Sequence, residues 1–408
     1  MRIRLTWVSG LVVGFLALGG ARTATAQAGG GQVVKLGEGE TLTISGFISA
    51  TWYMNNGFFT GGFGNGQNAE WAAAVQPATD KTYLDGDVRN TRINFTFSGS
   101  PVLGKWSPRA VLESDFFGFN GAILPFGDEQ PVLRIRLAYA DLTNGPTTIR
   151  IGQFWSPMFA EVPVSVTHLA FPLGYGATGM IGWRYPGIFL YHDLNPGKPT
   201  AIQLVLAAME GNGPEVGAGS GIGSGEASAT PQFEARLNFA HRKPNFSWSA
   251  YVVGHVDSKD TSAVGVQTPS VSGSGFEVGG NVTSGKLTVH GNVYTGKNLG
   301  AQFAHITQQT TALGEIKGWG AWVQGGYELT PHWGAWLFYG LDDPDEANSP
   351  GLPAANPKLK NEDLSGMLRF RAGRYQLGVE YFRANTTYGG APGKQKASQI
   401  ALSVLYTI

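Results

Sequence analysis

The sequence predicts an all-β fold: a transmembrane antiparallel β-barrel of about 16 strands, with short periplasmic turns and long extracellular loops. Residues 91–97, 133–139, 233–239 and 375–381 alternate strictly between polar and apolar side chains, as strands with one apolar face do. The alternating units approach the ~10 residues that a tilted strand needs to cross a bilayer. Gly is frequent (60 of 408 residues), aromatic residues reach 12% and charged residues only 14%, which favours a many-stranded β protein.

The connections between these units alternate in length, which is the asymmetry of an outer-membrane barrel. Seven short turns are expected at 98–105, 143–146, 195–199, 242–244, 284–285, 330–332 and 372–373. Eight long loops are expected at 55–87, 117–131, 156–175, 211–231, 257–273, 296–314, 342–363 and 385–394. Strands running up and down between them number sixteen, although the pattern does not separate sixteen strands from eighteen.

Residues 179–194 are the weak point of this count, because a break at Tyr185-Pro186-Gly187 would give seventeen strands. Odd numbers are unusual in bacterial barrels. We therefore expect one long strand with a bulge at Pro186, since proline is tolerated at bulges and poorly within a ladder.

Residues 1–26 have the features of a secretory signal peptide. Arg2 and Arg4 precede an apolar stretch at 11–18, and Ala24-Thr25-Ala26 is a small-x-small cleavage site. The stretch is too short to span a bilayer as a helix. Residues 27–408 are then expected to form a single β-barrel domain. The protein has no cysteine, so disulfides and thiol chemistry are excluded, and its charge balance does not favour a nucleic-acid partner.

Catalytic and cofactor motifs are not visible, so we expect neither an enzyme nor a bound cofactor. Residues 291–298 (GNVYTGKN) come near a phosphate-binding loop but lack the Ser or Thr that would hold magnesium. The acidic residues 342–346 (DDPDE) have oxygen ligands of the kind that calcium takes. A solvated acidic loop explains them more simply, and no metal site is predicted.

Arginines share the polar face of four neighbouring strands. Arg134 and Arg136 alternate with Leu133, Ile135 and Leu137, and the other three occupy equivalent polar positions. A lipid-facing arginine costs ~2–4 kcal/mol at the bilayer midplane, so all five should face the lumen. We predict that they line the pore and favour anions; the five are Arg92, Arg109, Arg134, Arg136 and Arg150.

Two acids share that polar face and leave an alternative open. Glu113 and Asp115 lie on the same side of their strand as Arg109. They could neutralise the arginines in an internal salt-bridge network instead of leaving an anion-selective wall. The sequence does not favour either interpretation.

The third long loop, 156–175, is apolar and rich in proline, whereas an external loop is normally polar. It must therefore pack against something. We predict that it folds into the barrel and narrows the channel, with Glu161 and His168 as its titratable members. A contact within a trimer is the alternative.

Aromatic residues are expected in girdles where strands meet the membrane interfaces, with ordinary core packing as the alternative. The candidates are Trp52, Tyr53, Phe116, Phe117, Trp155, Tyr294, Trp333 and Tyr381.

Three segments carry a family resemblance: 87–95 (DVRNTRINF), 112–118 (LESDFFG), and 133–139 (LRIRLAY) with 151–155 (IGQFW). Together they resemble the DcaP-like trimeric outer-membrane porins, which are related to the phosphate-selective porins. The resemblance implies a sixteen-stranded barrel, a homotrimer, and diffusion of small, often anionic, organic solutes. Members can carry an N-terminal coiled coil, but residues 27–39 are Gly-rich and have no heptads, so none is expected here.

The leading hypothesis is therefore a porin in the Gram-negative outer membrane, with membrane lipid, small solutes and two further copies of the chain as its partners. It would allow passive diffusion of small hydrophilic solutes, with a preference for anions. The alternative is a non-conducting structural or adhesive outer-membrane barrel, whose function would lie in its loops.

Overall fold

The computed structural model describes residues 31–60, 69–78, 81–118, 131–216, 219–260, 270–311, 314–352 and 355–408. The predicted signal peptide, 1–26, lies outside the described residues. The strands are β1 (Gln32–Gly37), β2 (Glu40–Asn56), β3 (Phe59–Thr60), β4 (Trp71–Ala72), β5 (Thr82–Asp87), β6 (Arg92–Ser98), β7 (Ser107–Asp115), β8 (Arg134–Asn144), β9 (Thr147–Trp155), β10 (Arg184–Asp193), β11 (Thr200–Met209), β12 (Gln232–Lys243), β13 (Phe246–Lys259), β14 (Val271–Ser284), β15 (Leu287–Lys297), β16 (Lys317–Glu328), β17 (Trp333–Pro344), β18 (Lys358–Ala372), β19 (Tyr375–Tyr388) and β20 (Lys394–Thr407). One short helix, α1 (Ser224–Ala227), and a 3₁₀ turn (Gly300–Gln302) accompany them.

Strand β2 closes the barrel because it pairs on both sides. Its residues 47–56 pair with β20, and its other edge pairs with β6 at residues 41–47 and with β5 at residues 51–56. From β6 to β20 each strand pairs antiparallel with the next. In the part of the chain that the structure describes, closure leaves the barrel wall without an open sheet edge, which a membrane would not tolerate.

The wall contains eighteen strands, but two of its positions are each occupied by two strands in succession. It therefore has sixteen strand positions. β5 and β6 succeed one another along β2, and β1 pairs with residues 40–44 of β2, just beyond the end of β20. β3 and β4 form a separate two-stranded ribbon within the first long loop. The predicted sixteen-stranded antiparallel barrel is therefore confirmed.

The predicted alternation of connections is confirmed as well. The seven short turns lie at 99–106, 145–146, 194–199, 244–245, 285–286, 329–332 and 373–374. At the opposite end, which we call the long-loop end, the strands are joined through 57–81, 116–133, 156–183, 210–231, 260–270, 298–316, 345–357 and 389–393. Among the described residues, no helix is long and apolar enough to span a membrane.

The structure has no bulge at Pro186, contrary to prediction. β10 begins at Arg184, and Pro186 pairs with Gln153 of β9 in regular register. The Pro186 carbonyl accepts the N–H of Glu210, which shows that its backbone points toward β11. The ladder with β11 starts only at Gly187. Proline has no backbone N–H to donate, and because Pro186 lies just before the ladder with β11 begins, no hydrogen bond of that ladder is lost.

A real bulge lies in β8. Ile135 pairs with Ser114 of β7, but Leu137 pairs with Glu113, so Arg136 is the extra residue. The bulge turns both Arg136 and Leu137 into the barrel, where they are buried. Leu137 was predicted on the apolar outer face, and that prediction is wrong because strict alternation fails at a bulge.

The outer face carries exposed apolar side chains along the strands, as a lipid-facing surface should. Trp52, Trp333 and Tyr381 of the predicted girdles lie on it. Tyr53 points inward, because it directly follows Trp52 and successive side chains of a strand face opposite sides. Phe117, Trp155 and Tyr294 are also buried inside, and Phe116 is half-buried.

We expect the substitution Leu337→Arg to lower the free energy of unfolding by about 2–4 kcal/mol, because Leu337 lies in the middle of β17 on the outer face. Urea unfolding in lipid vesicles would measure the change. Leu337 is 70% exposed, and Val75 in the first long loop is 77% exposed, so Val75→Arg is a matched control. Equal effects of the two substitutions would contradict a lipid-facing position for Leu337.

Candidate functional site

The segment between β9 and β10, residues 156–183, lies inside the barrel, and we call it the inner segment. Its backbone is hydrogen-bonded to side chains of β6, β12 and β16. These strands lie on different sides of the wall, so the segment can contact all three only from inside the barrel. The bonds run from Met158 N–H to Glu234 Oε2 (2.8 Å), from Val164 N–H to Gln324 Oε1 (2.6 Å), from Gln324 Nε2 to Val164 O (2.8 Å), from Arg236 Nη1 to Pro157 O (2.6 Å) and from Arg92 Nη2 to Leu169 O (3.0 Å).

This location explains why the segment is apolar. Its large side chains are buried: Met158, Phe159, Val162, Val166, Leu169, Phe171, Leu173 and Tyr175. The approach to the wall is close at Gly179, which has a φ of +81° and whose added Cβ would lie 2.4 Å from the backbone nitrogen of Ala321. Only glycine fits both that conformation and that distance.

Both titratable residues predicted for this loop contact the wall. Glu161 Oε1 lies 2.8 Å from Nδ1 of His290 on β15. Nδ1 of His168 lies 3.7 Å from Glu380 Oε1 on β19. The Glu380 carboxylate also accepts hydrogen bonds of 2.7 Å from the hydroxyls of Ser165 and Thr167. The two residues thus tie the inner segment to two strands of the wall, β15 and β19, that are four positions apart.

The five predicted arginines all lie on the inner side, but they fall into two clusters. The upper cluster contains Arg92, Arg134 and Arg136 with both predicted acids. Arg134 and Arg136 each contact Asp115, at 2.7 and 2.9 Å. Arg136 also binds Glu113 at 2.8 Å, and Arg92 lies 3.9 Å from that carboxylate. The salt-bridge network considered above therefore exists in the structure.

The lower cluster, toward the short turns, contains Arg109 and Arg150 around Asp141, a residue that the sequence analysis did not single out. Arg150 binds both carboxylate oxygens of Asp141, at 2.8 and 3.0 Å, and its guanidinium lies 3.9 Å from the ring centres of Tyr139 and Phe154. Arg109 is 3.8 Å from Asp141. Strict alternation from Arg134 and Arg136 would have put Asp141 on the outer face, and only the bulge at Arg136 turns it inward, which is why the sequence pattern did not reveal it.

Arg184 is a further arginine that the sequence analysis missed. It is 5% exposed, and its Nε and Nη1 atoms have no hydrogen-bond partner in the described part of the chain. Its guanidinium lies 4.3 Å from the ring centre of Trp183 and 5.0 Å from that of Trp155. Strict alternation from the exposed Pro186 and Ile188 would have put Arg184 on the lipid side, which is why the pattern did not reveal it.

With Arg184, the upper cluster has more positive than negative charge. Its four guanidinium groups, of Arg92, Arg134, Arg136 and Arg184, face only two carboxylates, those of Glu113 and Asp115. The cluster is covered by inner-segment aromatics, and the Arg134 guanidinium lies 5.4 Å from the Phe171 ring centre. An excess of two positive charges in a confined polar site can attract an anion.

A second loop reaches the same interior. The 3₁₀ turn at Gly300–Gln302 accepts the N–H of Gly182 at Gln302 O, 2.7 Å away. The Phe303 ring stacks on both Trp183 and Tyr175, with ring centres 4.6 and 4.7 Å apart. Burial raises the pKa of the Tyr175 hydroxyl well above its usual value, so this hydroxyl stays neutral and donates to Gly182 O.

The side chains of the acidic residues 342–346 lie in different surroundings. Asp342 points inward and accepts a hydrogen bond from the Tyr294 hydroxyl, while Asp345 accepts the backbone N–H groups of Ala347 and Asn348. Within the ranges that the structure describes, no group of three or more His, Asp or Glu side chains is placed to hold a metal ion.

We expect Glu380→Ala to loosen the inner segment, because Ser165 and Thr167 lose a charged acceptor and such bonds contribute roughly 1.5–3 kcal/mol each. Amide hydrogen exchange at 165–168 should be about tenfold to 100-fold faster. The Val164 amide, which is bonded to Gln324, should stay protected.

Glu362→Ala removes a carboxylate from the outer face of the neighbouring strand β18 and serves as the control. Exchange at 165–168 that is equally slow in both variants and in the wild type would show that Glu380 does not hold the segment.

Comparison with solved structures shows that the fold is shared with proteins described as outer-membrane channels and porins. The chain is similar to the outer membrane channel DcaP of Acinetobacter baumannii, with a TM-score of 0.70 and 18% identity over 92% of this chain and 99% of that one. The anion-selective porin from Comamonas acidovorans has a TM-score of 0.56 and 10% identity, over 90% and 100% of the two chains. OmpT of Vibrio cholerae in its trimer form has a TM-score of 0.52 and 11% identity, over 90% and 99%.

No protein-family model matches the sequence, and no curated protein is significantly similar to it. The predicted resemblance is confirmed at the level of the fold, because the structural similarity to DcaP extends over 92% of this chain. The chain has the sixteen-stranded fold of the outer-membrane porins.

Proposed function

We propose that this protein is a porin that lets small hydrophilic solutes diffuse passively across the outer membrane of a Gram-negative bacterium. The observation that carries the proposal is a closed sixteen-stranded wall with an apolar outer face and a charged inner face. Concentration gradients supply the driving force, so no catalytic step, cofactor or nucleic acid is involved. Residues 1–26 would be removed as a signal peptide, leaving 27–408 as one domain.

The inner segment is proposed as the constriction of the channel. Its predicted part, 156–175, is supported in this role by its hydrogen bonds to inner-face side chains around the wall. It lies against the upper arginine cluster, since Arg136 Nη1 is 3.4 Å from Ala170 O.

Anion preference is proposed to come from the upper cluster, in which Arg184 adds a positive charge that no carboxylate of the cluster balances. Arg92, Arg134 and Arg136 share two carboxylates, whereas Arg184 has no acidic partner within hydrogen-bonding distance in the described chain. The fold is shared with a protein described as an anion-selective porin, which is consistent with this proposal. The lower cluster is closer to balance, because Asp141 binds Arg150 tightly.

Assembly as a homotrimer within the outer-membrane lipid is proposed from the family resemblance, and one structural neighbour is a trimer. The apolar loop 156–175 is buried inside its own barrel. A trimer contact would therefore use the outer face of the strands, not this loop.

A non-conducting barrel is the second candidate function, and one observation favours it. The stack of Tyr175, Trp183 and Phe303 brings two loops together in the interior. If these loops fill the lumen, function would lie in the external surface. Single-channel recording in a planar bilayer separates the two candidates, because a filled barrel gives no conductance steps.

We expect the wild-type protein to show conductance steps, and a reversal potential under a KCl gradient that indicates anion preference. Arg184→Gln should move that potential toward zero by removing a cation without leaving an orphaned carboxylate. The control is Lys243→Gln, which removes one positive charge from an exposed position at the short-turn end. Cation preference in the wild type, or an unchanged potential in Arg184→Gln, would contradict the proposed role of the upper cluster.

A cysteine introduced at position 161 tests the constriction, because the protein has no cysteine of its own. Glu161 is 17% exposed and lies on the inner segment. We expect a water-soluble methanethiosulfonate reagent to reduce the conductance of Glu161→Cys in discrete steps. The control is Ser220→Cys, at an exposed position of the fourth long loop. Modification at 161 that leaves the conductance unchanged would argue against a constriction there.

A further inference from the structure

Four cations lie close together on the outer wall at the long-loop end. They are Lys360 on β18, Arg383 on β19, and Lys394 and Lys396 on β20, and we call them the outer cationic patch. Each occupies a position whose side chain faces outward, as the alternation along its strand requires. Arg383, for example, follows the exposed Val379 and Tyr381 at intervals of two residues.

The strand register brings these side chains together. Thr387 on β19 pairs with Lys360 on one side and with Lys394 on the other. Lys360 and Lys394 are therefore two strand spacings apart, roughly 10 Å. Lys396 pairs with Asn385, which lies two residues from Arg383 on the same face. All four cations thus fall within three adjacent strands.

The patch has little countercharge. Lys360 Nζ lies 3.3 Å from Glu362 Oε1, and that oxygen also accepts a hydrogen bond from the Tyr339 hydroxyl. Within the described part of the chain, Arg383, Lys394 and Lys396 take part in no ion pair or hydrogen bond. Most arginines of the inner wall, by contrast, are bound to carboxylates.

The patch lies where the apolar outer face ends. On the same strands, toward the short turns, the outward side chains are apolar: Leu364, Leu368, Val379, Tyr381, Ile400 and Leu402. Cations at this boundary are at the depth of lipid headgroups, where lysine and arginine bind phosphate. Charge-assisted hydrogen bonds to phosphate would also supply the partners that these side chains lack.

We propose that the outer cationic patch binds the phosphate groups of the glycolipid that forms the outer leaflet of the Gram-negative outer membrane. The proposal rests on the outer-membrane location with the long loops outside, and not on conduction through the barrel. It assigns β18–β20 to a surface that faces lipid, so it also implies that this part of the wall is not covered by another copy of the chain.

Native mass spectrometry with purified bisphosphorylated lipid A tests this proposal on the full-length mature protein. The variant Arg383→Gln/Lys394→Gln/Lys396→Gln should bind on the order of 100-fold more weakly, since each cation near a lipid surface contributes about a fivefold factor. The control Lys105→Gln/Lys198→Gln/Lys243→Gln removes the same charge from exposed positions at the short-turn end. It should bind lipid A as the wild type does.

Three results would overturn the proposal: undiminished binding by the patch variant, equal weakening in the control, or equally tight binding of dephosphorylated lipid A by the wild type. Inorganic phosphate is added as a competitor. Displacement of lipid A by millimolar phosphate would assign the patch to free phosphate instead. Conductance recorded on the same variants reports on the porin proposal separately, because all three side chains lie outside the barrel.

Discussion

A bilayer offers no water to the backbone groups at a sheet edge, and this constraint governs the rest of the molecule. β2 satisfies it by pairing with β20 on one side and with β5 and β6 on the other. Closure gives every strand an outer and an inner face. The side of the wall on which a charged residue lies then depends on its place in the alternation, except at a bulge such as that at Arg136.

Charges forced inward need partners, because a buried unpaired charge is costly. Asp115 and Asp141 each organise arginines from neighbouring strands. Pairing therefore accounts for much of the positive charge that the sequence places on the inner wall. The positive charge that is not balanced in the upper cluster is the excess, and Arg184, close to the rings of Trp155 and Trp183, contributes most clearly to it.

The backbone of the inner segment is subject to a similar constraint. A loop inside a barrel must satisfy its own N–H and C=O groups. Glu234, Arg236 and Gln324 do this from the wall, while the apolar side chains of the segment pack among aromatics. The polar side chains of the wall thus bind the backbone of the inner segment, and the apolar side chains of the segment pack against one another and against aromatic residues.

The sequence by itself determined the barrel, the alternation of short turns and long loops, and the inward direction of the five arginines, because alternation and turn chemistry are local; it left sixteen and eighteen strands open, and the pairing of β2 with β20, β5 and β6 decided for sixteen. It also indicated that loop 156–175 packs inward, since its composition does not suit water. Only the tertiary structure decided which charges pair, since contacts such as that of His168 with Glu380 join residues far apart in the chain. The bulge at Arg136, the inward turn of Arg184 and the clustering of Lys360 with Lys394 depend on register between strands, which a single strand's pattern does not encode.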